Sequence, residues 1–195
     1  MEQVITLTYN QISIQIPIGT RVEEVVTERL KLNPEKPRYQ DNPVIGLRVN
    51  NELLAFGAKL MVDAHIEPIR MFSHTGKRIY RHTLSYLLAY ASEKVFPDRR
   101  LIVGHALGDG FYYTFEDIHD LAREDVEKLA QAMQEIIDSD LKIHQGTVSY
   151  LAALEHFRSK GYPATELLLS YRNDPTLELY RCGSFMDITY EPLLP

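Results

Sequence analysis

Cysteine is almost missing from this chain of 195 residues, Cys182 being the only one. A single thiol excludes an intrachain disulfide and fits a reducing, cytoplasmic setting. Long apolar runs are missing as well. None approaches the roughly 18 to 20 residues of a membrane span, which predicts a soluble protein with no membrane partner. The start, Met1-Glu2-Gln3-Val4, lacks the basic region and apolar core of a secretory signal. Positive charge is in deficit, with 21 Lys and Arg against 27 Asp and Glu and a net charge of -6. Gripping nucleic acid by bulk electrostatics needs a basic face, so such binding would have to be local. Lys77, Arg78 and Arg81 form the one candidate patch for RNA contact, and nucleic acid as a partner is left open. A phosphate-binding loop is also lacking. His74-Thr75-Gly76-Lys77 carries its flavour without the Gly-x-x-x-x-Gly-Lys-Ser/Thr spacing.

What is present suits a folded chain, with 45% hydrophobic and 25% charged residues. The length allows one large domain or two small ones. Alternation from Val4 to Tyr9 and from Ile12 to Ile16, across Asn10-Gln11, predicts a hairpin. Pro17-Ile18-Gly19-Thr20 breaks the second strand, and Thr20 is placed to cap a helix over Val22 to Leu32. Strands are expected at Val44 to Val49, Glu52 to Leu54 and Ala64 to Ile69, with Asn50-Asn51 as a turn. Two strands, a helix and further strands within the first 70 residues make a ubiquitin-like β-grasp pattern.

Longer helices follow. One is predicted over Ile79 to Val95, stopped by Phe96-Pro97-Asp98, and another over Arg123 to Ile137. Between them Leu101 to Val103 and Phe111 to Phe115 read as strands around a glycine-rich turn, Gly104 to Gly110. Leu141 to Ile143 reads as a strand, Thr147 as the cap of a helix over Val148 to Lys160, and Leu177 to Cys182 and Phe185 to Tyr190 as late strands. The fold class is α+β. Single histidines at His65, His119 and His156 are expected to be surface or locally satisfied positions.

Three stretches carry a family resemblance. Pro17 to Thr20 and Val49 to Leu53 resemble the TGS domain found at the start of threonyl-tRNA synthetases and some GTPases. Gly104-His105-Ala106-Leu107-Gly108-Asp109-Gly110-Phe111-Tyr112-Tyr113, downstream of His82, resembles the second additional domain of those synthetases. The resemblance implies a TGS-like domain over 1-70 and a synthetase-like α+β domain over 71-195. In the synthetases the helix offers two histidines one turn apart and a late strand offers Cys-x-x-x-His, four groups able to converge on a metal or a water. Carried over, His82 and Cys182 are kept, while Tyr86 and Met186 stand where histidines are expected and Tyr180 where an aspartate is common. His82 and Cys182 alone make no metal site, so none is expected. A remodelled pocket would use His82, His105, Cys182 and Asp187, with Tyr86, Met186 and the turn residue Asp109 beside it.

Tyr80 to Ser85, Gly104 to Gly110 and Cys182 to Asp187 together also resemble the N-terminal region of bacterial uridine (nucleoside) kinase-like proteins. That resemblance implies a noncatalytic ligand-binding or regulatory region, a downstream kinase domain beyond Pro195 as partner, and ATP and magnesium for that domain. No cofactor is expected in this chain. The alternatives are an aminoacyl-tRNA deacylase with a degenerate site and an RNA-binding regulatory module; a small-molecule ligand is a further candidate partner.

Overall fold

The computed structural model of the chain describes residues 3–108, 110–116 and 121–194. Asp109 and His119 lie outside the described residues. Two compact units are formed: one runs up to Lys142 and takes in the segment from Glu191, and the other is Ile143–Tyr190. Among the described residues no helix is long and apolar enough to cross a membrane.

The first unit opens with β1 (Val4–Tyr9) and β2 (Ile12–Pro17), paired antiparallel as the alternation predicts. With β3 (Val44–Val49), β4 (Glu52–Ala55) and β5 (Ala64–Arg70) they make a five-stranded sheet in the order β2-β1-β5-β3-β4, β1 and β5 lying parallel. This is the β-grasp topology. Leu7, Ile16, Val22, Val25, Val26, Leu47 and Ile66 form its core.

The helix that crosses the sheet differs from expectation. Its α-helical part, α1, is only Val22–Glu24 and passes directly into a π-helical turn, Val25–Arg29, in which Leu30 N bonds to Val25 O at 2.9 Å. Thr20 does not cap it. Its hydroxyl instead donates to Pro17 O at 2.6 Å and closes the turn in which Gly19 holds φ +85°. The first helical amides go to the backbone of the connection after β4, Val22 N to Ala58 O and Glu23 N to Phe56 O. Tertiary backbone partners have displaced the side-chain cap.

α2 (His74–Val95) starts earlier than the apolar periodicity suggests, because Ser73 caps it by accepting Gly76 N at 3.0 Å. Ile79 on its first turns packs with Ile45, Ile69 and Met71. β3 is thereby covered on both faces. Near the end of the chain, Leu194 N donates to Thr83 Oγ1 on α2 at 2.9 Å. β6 (Leu101–Leu107) and β7 (Gly110–Phe115) pair as a two-stranded ribbon, and α3 (Arg123–Asp138) packs against α2. Gly104 to Leu107 is therefore strand, and Gly108 follows it at φ +56°.

In the second unit, β8 (His144–Ser149) replaces the strand expected at Leu141 to Ile143. Thr147 sits inside it, opposite Glu178, so it caps nothing. Ser149 caps α4 (Tyr150–Ser159) by accepting Ala152 N. α5 (Pro163–Ser170), which the periodicity did not single out, begins with Pro163 after Gly161 at φ +68°. β9 (Thr176–Cys182) lies between β8 and β10 (Phe185–Asp187) in an antiparallel sheet whose apolar face meets α4 and α5 through Ala153, Phe157, Leu169, Leu177 and Leu179.

Candidate functional site

The sequence candidates divide between the two units. His82, Tyr86 and His105 belong to the first, and Cys182, Met186 and Asp187 to the second.

On α2, His82 is half-buried and its ring lies 6.0 Å from that of Phe111 on β7. Ser85, three residues on and so on the same helix face, is 2.6 Å from Tyr113 OH, and its hydroxyl also lies 3.1 Å from Arg81 O. Phe111 and Tyr113 share one face of β7, since side chains alternate along a strand. Their rings meet edge to face at 6.4 Å. Phe111 and Tyr113, the first and third residues of Phe111-Tyr112-Tyr113, thus form an aromatic floor beside His82. The hydrogen bond between Ser85 and Tyr113 gives it a polar anchor that no sequence motif announces.

His105 does not join this floor. It is exposed and stacks on Tyr112 at 5.8 Å, and Tyr112 faces away from Phe111 and Tyr113. β6 runs on through Leu107, and His105 lies where its register against β7 shifts, between Val103 and Ala106. Gly104 permits this pairing: a Cβ there would stand 3.1 Å from both Tyr112 O and Tyr112 Cδ1.

Tyr86, one turn beyond His82, is buried at 6% exposure. A phenol held there supplies a ring to the packing of α2 where an imidazole would supply a ligand. In the second unit, Cys182 is fully buried opposite Phe185, and burial pushes its thiol above the ordinary range. An enclosed thiol whose proton is held by burial is a poor nucleophile. Met186 pairs with Arg181, whose Nη2 approaches its Sδ at 3.6 Å. Met186 O lies 3.3 Å from His156 Nε2, the kind of local use expected of a single helical histidine. Asp187 Oδ1 accepts the next amide, Ile188 N, at 2.7 Å. Among the described residues, no three His, Cys, Asp or Glu side chains come together so as to hold a metal ion.

Of the basic candidates, Arg78 pairs with Glu191 at 3.2 Å, Lys77 is exposed, and Arg81 is half-buried on the same helix face as Lys77.

A β-grasp sheet, an α+β region built on a long helix, and a Gly-Phe-Tyr-Tyr ribbon facing His82 define a threonyl-tRNA-synthetase-like α+β chain. Comparison with known proteins agrees. The chain is 33% identical over 154 residues to the threonine–tRNA ligase of Syntrophotalea carbinolica, and 30% identical over 152 residues to that of Caldanaerobacter subterraneus, each match covering 77% of this chain and 24% of the relative. The threonine–tRNA ligase of Clostridium tetani is 26% identical over 183 residues, 93% of this chain and 28% of the relative. The chain thus spans about a quarter of the length of these curated relatives. No protein family model matches it. These matches overturn the kinase reading: the relatives are named threonine–tRNA ligase, and the assignment as a uridine or nucleoside kinase, a transferase with ATP binding, finds no support in them. The downstream kinase domain, ATP and magnesium were expectations of that reading alone.

Proposed function

We propose that this chain is a tRNA-recognition region of the threonyl-tRNA-synthetase kind, with a TGS-like part over 1-70 and a synthetase-like part over 71-195, whose deacylase site is degenerate. The similarity to threonine–tRNA ligases supports the tRNA side of this reading. Buried Tyr86, one turn from His82 and standing where the resemblance expects a second histidine, carries the loss of chemistry. Hydrolysis of an ester needs a base within hydrogen-bond reach of a water, or a metal to activate one. Tyr86 offers no imidazole base, and the enclosed Cys182 thiol, held protonated by burial, is a poor base.

The test uses threonine tRNA carrying a wrong amino acid. The chain should retain the tRNA on a filter while amino acid is released no faster than in buffer. Release that the chain accelerates, and that His82→Ala abolishes, would establish an active deacylase instead.

A further inference from the structure

Within the first unit, the segment that precedes β3 meets the start of α2, and three large rings stay exposed there. Tyr39 is 54% exposed, Phe72 40% and Tyr80 39%. Tyr39 and Phe72 meet edge to face at 4.9 Å, and Tyr80 lies 6.4 Å from Tyr39. The rings stand on a fixed backbone. Tyr39–Asp41 is a 3₁₀ turn in which Arg38 N donates to the Asp41 carboxylate at 2.8 Å. Asn42, in the left-handed region at φ 49°, ties that turn to α2: its Oδ1 accepts Phe72 N at 2.8 Å and its carbonyl accepts Arg70 Nη1 at 3.2 Å.

Charge around the rings runs against the chain as a whole. Residues 36–42 and 70–81 hold Lys36, Arg38, Arg70, Lys77, Arg78 and Arg81 and one acid, Asp41, in a protein of net charge -6. Arg78 is engaged by Glu191, whereas Lys36, Arg38 and Lys77 make no ion pair among the described residues. The first turn of α2 contains no acidic residue, and Lys77 follows it closely. Cations at the positive end of a helix are electrostatically unfavourable; an anion bound alongside reverses that. Gathered rings in water, fixed in place and bordered by cations, are the two ingredients by which proteins hold unpaired nucleotides: a face for the base and charge for the phosphate.

We propose that Tyr39, Phe72 and Tyr80 form a stacking platform for unpaired bases of a single-stranded nucleic acid, with Arg38 and Lys77 taking the adjoining phosphates. This surface does not depend on the tRNA reading, since a stacking platform accepts any single strand.

The experiment is fluorescence anisotropy of a labelled oligoadenylate titrated with the intact chain. Tyr39→Ala and Phe72→Ala should each weaken binding about 5- to 150-fold, the range for losing one stacked base, while Tyr39→Phe keeps the ring and the affinity. Lys77→Gln should flatten the salt dependence. The chain has no tryptophan, so Phe72→Trp adds a sole reporter whose emission the stacked base should quench. A preference for the oligonucleotide over AMP and over the same sequence as a duplex supports a single strand. Equal affinity for AMP would assign the platform to a free nucleotide, and equal affinity for anionic lipid vesicles to bare charge; either overturns the proposal. Oligonucleotide binding unchanged by loss of both Tyr39 and Phe72 rings overturns it too.

Discussion

Gly76 is the position at which a single methyl group should do most damage. In the motif His74-Thr75-Gly76-Lys77 this glycine invites a phosphate-loop reading, but its surroundings give it a packing role. A Cβ on Gly76 would overlap Arg70 O and stand 2.6 Å from Met71 O, both backbone atoms that cannot swing aside. Arg70 O already accepts Ser73 N at 3.0 Å and the Ser73 hydroxyl at 2.7 Å, and Ser73 Oγ accepts Gly76 N. Making room therefore pulls apart the cap of α2. Overpacking of this kind costs about 1–3 kcal/mol and a lost cap about 1 kcal/mol. The better helix propensity of alanine returns about 1 kcal/mol. Gly76→Ala should be net destabilising by about 2 kcal/mol, which lowers the melting temperature by about 4–8 °C in a chain of this size. Thermal unfolding of the two proteins, followed by circular dichroism, reads it directly. A variant as stable as the parent, or more so, would refute the close approach of α2 to the end of β5.

Three further outcomes test the second unit. Phe157 is fully buried and its ring stacks with Tyr162 at 6.2 Å, so Phe157→Ala should cost about 3–5 kcal/mol, seen as lost hydrogen-exchange protection across 143–190. Burial raises the Cys182 pKa, so the folded chain keeps its thiol proton at pH values where the unfolded chain releases it. Stability tied to this group is therefore full below the ordinary thiol pKa of about 8.5 and declines above it. Urea unfolding between about pH 7 and pH 10 should show that decline, and Cys182→Ala should remove this component of it. Iodoacetamide should also label Cys182 far more slowly in the folded chain than in urea.

The β-grasp half was readable because its signals are local. Strict alternation in Val4 to Tyr9 and Ile12 to Ile16, and short turns at Asn10-Gln11 and Asn50-Asn51, leave little choice of register. Helix starts were harder. Thr20 and Thr147 have the chemistry of a cap, yet Thr20 finds a local acceptor in Pro17 O and closes a turn, while Thr147 is taken up by the pairing of β8 with β9. Ser73 does cap α2, but ahead of the apolar periodicity, so the first turn was missed. Of the site, the residue types could be read and their facing could not. The glycine-rich stretch reads as a loop that brings His105 to a pocket; a few more strand residues in β6, with the ring stacked on Tyr112, put it on the far side of the ribbon from Phe111 and Tyr113. The platform of Tyr39, Phe72 and Tyr80 joins residues far apart in sequence through Asn42, and nothing in the polar stretch around Tyr39 announces it.

The most direct test of a tRNA-recognition region with a degenerate site measures affinity and hydrolysis in the same sample of mischarged threonine tRNA. Saturable binding with amino acid released at the buffer rate, unchanged in His82→Ala, is the predicted result. Absence of binding, or release that depends on His82, would contradict it.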